Sequence, residues 1–488
     1  NSFCTLLAAF TTSAMNWWLV VTAVLGALLT VGVSAYIIFV LTTPSELKTA
    51  IMPKLVALLG LTVCFCAILM LPYEVANAKD PTAVDQYGGG INTVLMWQIL
   101  LITAGLLIVV LIPFAIFFYE AHDPEHFSFL QQCTPAFLYT LGLLVAFLIV
   151  FLTLYFSIGF AIIPYYAYTA EPQRFDPFDT RLVYSKDKTE EELKLRVSAF
   201  VYFVGVVCAI GWFLFIIYGG VGLVALPVGL MRFIYRSPKK PLTQLEFAAE
   251  QERIAAEALN LMREGKNLQR SSTTDVRVQV RINRFSNEVE SLANHLAKTT
   301  AAFEDKNLHY VKLVAAFIGA MICTVLTVLW ILHIFIHNLV RMNGFLNVVL
   351  VELDNTFHLL GMMMYSLLVF FLLWCVIVGN LKVGLRFTFF SVHPLKYRDT
   401  RINSILFNVG LLLTTSIAIV QFCTYSFVDY VSHTAADSLF DTYVARLQYI
   451  GVIFKFLELA LVGVFLLSCT WVILCPRPKP KPEKEEED

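Results

Sequence analysis

Long apolar runs alternate with short polar stretches along almost the whole chain. Nine of these runs are long enough to cross a hydrocarbon layer of about 30 Å as a helix. Their approximate spans are 17–41, 51–72, 93–119, 135–163, 199–230, 311–340, 360–390, 402–426 and 450–475. This pattern predicts an all-α fold, a polytopic transmembrane bundle of about nine helices.

Composition points to the same class. Apolar residues make up 58% of the chain and charged residues 15%, and the mean hydropathy is +0.72. Soluble domains contain more charged and fewer apolar residues. Most cysteines lie inside apolar runs, where they behave as small hydrophobic residues, and no CxxC pair occurs. The sequence therefore does not support a disulfide framework, a zinc ribbon or a thioredoxin-type site.

Lysine and arginine are unevenly divided between the two sides that nine crossings create. The loops after the odd-numbered runs and the tail carry 24 of them, counting Lys54, Lys382 and Arg386 near the ends of runs, whereas the N-terminus and the other loops carry nine. Cytosolic loops are enriched in these residues. We therefore expect a non-cytosolic N-terminus and a cytosolic C-terminus.

The fifth run ends in YGGVGLVALPVGL (218–230), where five helix-weakening residues are concentrated: Gly219, Gly220, Gly222, Pro227 and Gly229. The first four are the candidate hinge. A break that faced lipid would leave backbone groups unpaired, so this stretch must pack against other helices. It is interpreted as a kink or a close helix contact, and as a hinge between the bundle and the polar segment that follows. Replacing Gly220 or Gly222 by leucine is expected to disturb packing, and the same change at Gly265 to be mild.

The largest polar excursion, 232–310, is expected in the cytosol and carries 13 Lys and Arg against ten Asp and Glu. Anionic lipid headgroups attract cations that lie directly beneath a membrane. The candidates for such contacts are Arg232, Arg236, Lys239 and Lys240.

Heptad spacing in the same excursion predicts two helical arms. Thr243 and Glu246 form a capping box, after which one apolar residue per heptad recurs: Phe247, Ile254 and Leu261. A second seam follows a short strand-like run at 276–282 and consists of Ile282, Phe285, Val289, Leu292 and Leu296. We expect a coiled-coil-like hairpin whose arms pack together or bind a protein partner through 243–305.

These features divide the chain into four parts: 1–231 with the first five helices, the loop 232–310, helices six to nine in 311–475, and a disordered cytosolic tail, 476–488. Between the helices, 164–198 is interpreted as an ordered cap or as a solvated connector. A short surface helix is expected in 427–449.

Ionisable residues inside a membrane are costly and often functional. Lys455 and Glu458 lie one helical turn apart in the ninth run and could form a structural ion pair, a ligand site or a proton pathway. Glu74, at the end of the second run, is either interfacial or part of such a pathway. His333 and His337 have ligand-compatible spacing, but without a third ligand a packed pair is favoured.

Motifs for catalysis are absent from the sequence. The glycines at 219–222 follow a membrane helix rather than a strand, without a GK[ST] sequence, and neither GxSxG nor HExxH occurs. The basic loop has few aromatic residues, which argues against nucleic-acid binding. We expect no enzymatic activity, no catalytic residues, no bound metal and no cofactor.

An ordered series of stretches resembles the limb-region-1-like, or lipocalin-interacting membrane receptor (LIMR), family, most closely its plant- and protist-type members. The stretches are MLPYEVANAKD (70–80), GGGINTVLMWQIL (88–100), IPFAIFFYEAHD (112–123), YGGVGLVALPVGLMRFIYRSPK (218–239), FLNVVLVELDNTFHLLG (345–361), HPLKYRDTRINSILFNVGLLL (393–413) and IAIVQFCTYSF (417–427). The resemblance implies about nine helices and a large cytosolic helical loop. One vertebrate branch of the family is linked to lipocalin uptake, and another to cobalamin leaving the lysosome beside an ABC transporter. The resemblance supplies no set of site residues.

Three functions remain open at this point. The first is a receptor or trafficking adaptor, whose basic helical loop binds cytosolic partners or membrane lipids. The second is a transporter of a cobalamin-like small molecule, or an escort of such a transporter, in an endomembrane. The third is a structural subunit of a membrane complex or of a homo-oligomer.

Overall fold

The computed structural model describes most of the chain. The described residues are 17–43, 46, 51–78, 92–121, 129–168, 188–236, 244–269, 306–340, 342, 344–383, 385–387, 390–392, 395, 398 and 400–474, with single residues and short pieces of 285–300. Within these residues, nine helices are long and apolar enough to cross a membrane, which confirms the predicted fold class.

Thirteen helices in chain order account for most of this part of the chain. They are α1 (Trp17–Leu41), α2 (Ile51–Asn77), α3 (Thr93–Leu106), α4 (Ile112–Glu120), α5 (Phe129–Ile158), α6 (Ala199–Arg236), α7 (Gln244–Gln269), α8 (Lys306–His333), α9 (Phe345–Thr356), α10 (His358–Val383), α11 (Ile402–Ser426), α12 (Val428–Val431) and α13 (Ile450–Leu474). Three π-helical turns interrupt or join them: Leu107–Leu111 between α3 and α4, Ile334–Leu339 after α8, and Asp437–Val444 before α13. The short helix α9 was not predicted.

Burial distinguishes the central helices from the lipid-facing ones. In the most apolar stretch of α11, 83% of the residues are buried, against 67% in α2 and none in α5. A β-carbon on Gly60 of α2 would lie 2.5 Å from Cγ1 of Val409 in α11, so these two helices pack without a gap. The apolar side chains of α5 instead remain exposed, as expected for a surface that lipid covers.

Two apolar runs end earlier than predicted because each gives way to strands. The run predicted to continue to 163 stops at Ile158, and β1 (Phe160–Tyr168) pairs antiparallel with β2 (Lys188–Arg196). The run predicted to continue to 390 stops at Val383, before a small hairpin of β3 (Leu385–Phe387) and β4 (Phe390–Val392). Apolarity alone cannot separate a buried strand from a helix end.

The ordered interpretation of 164–198 holds for the described parts of that loop. β1 and β2 form nine paired positions, from Phe160 with Arg196 to Tyr168 with Lys188. The Arg196 guanidinium also lies 5.2 Å from the ring centroids of Tyr155 and Phe156. The Arg196 contacts fasten the hairpin to the end of α5, whereas the described side chains of β2, at 191–196, are exposed. The strands are therefore ordered and solvated, and whether they cap the bundle stays a prediction. Residues 169–187 lie outside the described part.

The chain divides into two compact units, one of 1–226 with 325–488 and one of 227–324. The boundary falls within the glycine-rich stretch, yet α6 runs through that stretch without interruption and includes Pro227. The domain bounds drawn from the sequence stay predictions, as does the disorder of the tail, which lies outside the described residues.

In the second unit, contacts link α7 to the described pieces of the second arm. Glu250 Oε1 lies 3.3 Å from the Arg253 guanidinium and 3.8 Å from His295 Nε2. A β-carbon on Gly265 would lie 2.9 Å from Cζ of Phe285. Residue 250 thus contacts 295 and residue 265 contacts 285, the order expected for two antiparallel arms. The hairpin itself stays a prediction, because 270–284 is outside the described residues.

Candidate functional site

Glu74 is buried inside the bundle, at the end of a spanning helix. Its side chain is 2% exposed, although it lies within one turn of the end of α2. Trp97 Nε1 of α3 donates to Oε2 at 2.7 Å, and the backbone N–H of Ala436 donates to Oε1 at 3.0 Å. Each carboxylate oxygen thus accepts a hydrogen bond from a different element. The arrangement fastens α3 and the segment before α13 to α2.

The segment that Glu74 holds is helical and amphipathic. It contains α12 and the π-helical turn Asp437–Val444, and four of its apolar side chains are fully buried: Val431, Ala436, Phe440 and Val444. The Phe440 ring meets Trp97 edge-on at 5.7 Å. Ser432, His433 and Ser438 of the same segment are exposed. The helix expected at the surface in 427–449 is therefore present, with its apolar face packed against the bundle.

The second intramembrane pair is described only in part. Glu458 in α13 is 5% exposed and has an interaction partner. The side chain of Lys455 lies outside the described side chains, so an ion pair between the two stays a prediction. A buried carboxylate needs such compensation, because its desolvation is costly.

The predicted hinge glycines make close helix contacts. A β-carbon on Gly222 of α6 would lie 1.8 Å from the backbone oxygen of Cys375 in α10, and one on Gly379 would lie 1.9 Å from the backbone oxygen of Tyr218. The contact is thus reciprocal between two antiparallel helices. On another side of α6, a β-carbon on Gly220 would lie 2.8 Å from Val464 of α13. Glycine is required here because only a bare backbone lets the helices approach so closely.

The predicted lipid-contact residues are only partly described. Arg232 is half-buried and lines a shallow cleft of about 390 Å³ with Met231, Tyr235 and Thr324. The side chain of Arg236 and all of Lys239 and Lys240 lie outside the described part. Anionic-lipid binding by this cluster stays a prediction.

The two histidines belong to a polar cluster at the end of α11. The backbone oxygen of Ser426, which ends that helix, lies 3.0 Å from His333 Nε2 and accepts from Asn347 Nδ2 at 3.2 Å. Asn338 Nδ2 donates to the Ser426 hydroxyl at 3.1 Å. The last carbonyls of a helix lack intrahelical partners, so these side chains cap α11 from neighbouring elements. The described residues contain no group of three or more metal-ligating side chains.

A junction that sequence reasoning missed lies at Glu46, after α1. Oε2 accepts from the backbone N–H of Ile402, the first residue of α11, at 2.9 Å, and Oε1 accepts from Tyr119 Oη at 2.6 Å. Nearby, Asn403 Nδ2 donates to Glu120 Oε1 at 2.8 Å. A carboxylate at a helix N-terminus is favourable. The sequence offered one indirect clue. Arg401, the residue before α11, cannot accept a hydrogen bond from the helix N-terminus, so the cap had to come from elsewhere.

Two aspartates, Asp437 and Asp441, lie within the segment that Glu74 holds. Burial raises the pKa of the Asp437 carboxyl, and a nearby His433 partly offsets this rise. Burial also raises the pKa of Asp441, the neighbouring Asp437 raises it further, and the Arg446 guanidinium lowers it. This acid pair was not predicted, although its members lie four residues apart and are therefore neighbours on one helical turn.

Comparison of the sequence with known proteins identifies a family. A family model described as LMBR1-like membrane protein matches residues 19–310 and 259–471. A LIMR family protein of Dictyostelium discoideum is 30% identical over 94% of this chain and 97% of its own length. LIMR family proteins of Oryza sativa subsp. japonica and Arabidopsis thaliana are each 28% identical over 90% of this chain and 92% of their own length.

No solved structure matches the chain. The family model covers most of the nine spanning helices, and the relatives align along nearly the whole sequence. Together with the membrane-spanning bundle, these matches confirm the resemblance found in the ordered sequence stretches. The chain belongs to the LMBR1-like, or LIMR, family of multi-pass membrane proteins.

Proposed function

We propose that this protein is a receptor or trafficking adaptor without enzymatic activity, and that its 243–305 segment binds a protein partner. The proposal includes a cytosolic position for that segment, a non-cytosolic N-terminus, and residence in the plasma membrane or an endolysosomal membrane. The distribution of lysine and arginine supports this orientation.

The observation that carries the proposal is a second apolar face on α7. Ile254, which belongs to the heptad seam, is 5% exposed, so this side of the helix is already covered. Three apolar side chains around the remaining surface are exposed: Leu245 at 85%, Leu259 at 57% and Met262 at 62%. At about 100° per residue, Leu245 and Leu259 point away from Ile254. An amphipathic partner helix would cover such a stripe.

The described residues give less support to transport. A break in the fifth spanning helix would have favoured a transport path, but α6 is continuous through the glycine-rich stretch. Both oxygens of Glu74 accept hydrogen bonds that hold neighbouring elements in place. Transport of a cobalamin-like small molecule, or escort of its transporter, is the second candidate, and the buried Glu458 in α13 is the observation that favours it.

A substitution in the full-length chain tests the adaptor function. A triple variant changes Leu245, Leu259 and Met262 to glutamine, and its control changes Glu257 and Asn260, two exposed polar residues on another side of the same helix, to alanine. Both are purified from native membranes in mild detergent, and the co-purifying proteins are quantified. We expect the triple variant alone to lose one or more stoichiometric partners while its melting temperature stays unchanged.

Two outcomes would contradict the adaptor function. One is an identical set of co-purifying proteins in the wild type, the triple variant and the control. The other is solute movement by the purified protein in liposomes that the Glu458→Gln variant loses and the triple variant keeps, which would favour the transport alternative. Co-purification of a second copy of this chain, lost in the triple variant, would instead identify a homo-oligomer.

A further inference from the structure

A cavity of about 470 Å³ lies in the first unit, between the β1–β2 hairpin and the start of α13. Its volume is within the range of small-molecule sites. Its walls combine charged, aromatic and apolar side chains, among them Glu192, Asp441, Arg446, Tyr425, Tyr449 and Val452. None of its lining residues belongs to α7, so a ligand site here does not depend on the proposed adaptor function.

Backbone hydrogen bonds hold the wall of this cavity in place. The N–H of Ile162 in β1 donates to the oxygen of Arg446 at 3.0 Å, and the N–H of Gln448 donates to the oxygen of Phe160 at 2.8 Å. The side chain of Leu447, between these two bonds, is 2% exposed and fits against Gly205 of α6. The segment that carries Arg446 is therefore anchored on both sides, independently of the Arg446 side chain.

Tyr449, also in this wall, has an unfavourable backbone conformation. Its φ angle is 68°, in the left-handed region that bulky residues seldom adopt. Burial does not compensate for this conformation, because the side chain is 60% exposed. Such strain occurs preferentially at ligand-binding positions. The Tyr449 ring therefore stands at the cavity as an available aromatic surface.

Asp441 and Arg446 act on each other electrostatically but form no direct ion pair in the described part of the chain. Neither closes an ion pair within 4.0 Å with any other described residue, and Glu192 is exposed. A guanidinium suits a phosphate, because its N–H groups match two phosphate oxygens. Carboxylates and tyrosine rings suit an ammonium group, by charge and by cation–π attraction. The two kinds of recognition group lie in one cavity.

The cavity also lies where spanning helices end. Tyr425 belongs to the last turn of α11, and Val452, which is 57% exposed, belongs to the first turn of α13. A headgroup in the cavity could thus leave its acyl chains beside the apolar face of α13. An amphiphile fits this position better than a fully polar solute.

We propose that this cavity binds a phosphoammonium group, a phosphate ester linked to an ammonium or quaternary ammonium group. Arg446 contacts the phosphate, and Asp441 and Tyr449 contact the ammonium end. The group could belong to a membrane phospholipid or to a free phosphoammonium solute.

Binding to the full-length protein in a maltoside detergent distinguishes these sources. The probes are dihexanoyl-phosphatidylcholine, dihexanoyl-phosphatidylglycerol and free phosphocholine, each titrated calorimetrically. We expect phosphatidylcholine to bind roughly tenfold more tightly than phosphatidylglycerol, about the effect of one charged contact. Binding of phosphatidylcholine alone identifies a lipid site, and equal binding of free phosphocholine identifies a soluble ligand. Binding of neither choline compound overturns the proposal.

Variants assign the roles of the residues. Arg446→Gln should weaken choline-ligand binding roughly tenfold, and Arg446→Lys should restore part of it, because the charge remains. Tyr449→Asn retains a residue that tolerates positive φ but removes the ring, and should weaken phosphatidylcholine more than phosphatidylglycerol. Lys382→Gln, at an exposed position at the end of α10, is the control and should bind as the wild type does. Equal affinities in Arg446→Gln and Lys382→Gln would refute the assignment, with melting temperatures showing that both are folded.

Discussion

Single glycines decide how closely α6 approaches its neighbours. Gly222 and Gly229 both belong to this helix, but only Gly222 faces a backbone oxygen, that of Cys375, whereas a β-carbon on Gly229 would meet no atom within 4 Å. Gly222→Ala should lower the unfolding free energy by about 1–3 kcal/mol, because α6 and α10 must move apart. Gly229→Ala should leave stability unchanged or raise it slightly. Melting temperatures in detergent compare the two variants.

Equal melting temperatures for these two variants would show that the close contact is not required. Gly265 is not a suitable control, contrary to the sequence-based expectation, because the Phe285 ring lies against it. Replacement by leucine there should displace that ring and destabilise the arm. The difference between Gly229 and Gly265 is one of tertiary environment, since both lie within helices.

The acid pair predicts a pH dependence of stability. The pKa values of Asp437 and Asp441 are raised above 3.8 in the folded protein. The folded state therefore binds protons more tightly than the unfolded state, so stability is greatest below that value and falls as pH rises through the raised pKa values. Asp441→Asn should reduce this fall and raise the melting temperature at neutral pH.

Melting curves between acidic and neutral pH, compared with those of Asp429→Asn at an exposed position, check this expectation. A neutral-pH melting temperature that drops in Asp441→Asn would contradict it. If the cavity binds a phosphoammonium group, the same variant should be more stable yet bind phosphatidylcholine less tightly. Stability and ligand binding would then place opposite demands on this position.

Among the elements, the segment between α11 and α13 depends on one side chain of α2. Glu74→Ala should free the N–H groups of Trp97 and Ala436 within the bundle, at about 1–3 kcal/mol for each buried donor. We expect faster hydrogen exchange in 428–444. Trp97→Phe removes one donor only and should leave exchange in that segment closer to the wild type. Equal exchange in Glu74→Ala and the wild type would show that packing alone holds the segment.

Helix α11 is likewise capped by groups outside itself. Glu46 accepts from the first N–H of this helix, and His333 and Asn347 bond the last carbonyl. Glu46→Ala should cost about 1 kcal/mol of unfolding free energy, the usual effect of a lost N-cap. Glu352→Ala, at an exposed position of α9, is the matched control. Chemical denaturation in detergent measures the difference. The same denaturation midpoint for both variants would contradict a capping role of Glu46.

The whole molecule should be oriented with its basic loops in the cytosol. Cysteines introduced at Tyr449 and Leu245, both exposed, should then react with a membrane-impermeant maleimide from opposite sides. In intact cells or sealed vesicles of known sidedness, Tyr449→Cys should be labelled from the non-cytosolic side and Leu245→Cys only after permeabilisation on the cytosolic side. Labelling in the reverse order would invert the proposed topology, and the unmodified chain measures background from the native cysteines.

The sequence by itself determined the class of this protein and the positions of its spanning helices. Long apolar runs must be helical in lipid, because backbone groups there have no water to bond. The heptad residues Phe247 and Ile254 likewise identified the covered side of α7, since helical periodicity is a local property. The family also followed from the sequence, because the stretches that resemble it can be identified in order without knowledge of tertiary contacts.

Only the tertiary structure decided what the polar residues do. Glu74 and Ala436 are 362 positions apart, and Glu46 and Ile402 are 356 apart, so no local pattern could pair them. From sequence alone, the first part of β1 was predicted as the end of an apolar helix. It is a strand because β2 supplies its hydrogen-bond partners. The cavity at Arg446 and Tyr449 exists because this hairpin pairs with the start of α13. Local preference sets the elements, but buried polar groups must find distant partners, and the fold alone determines which.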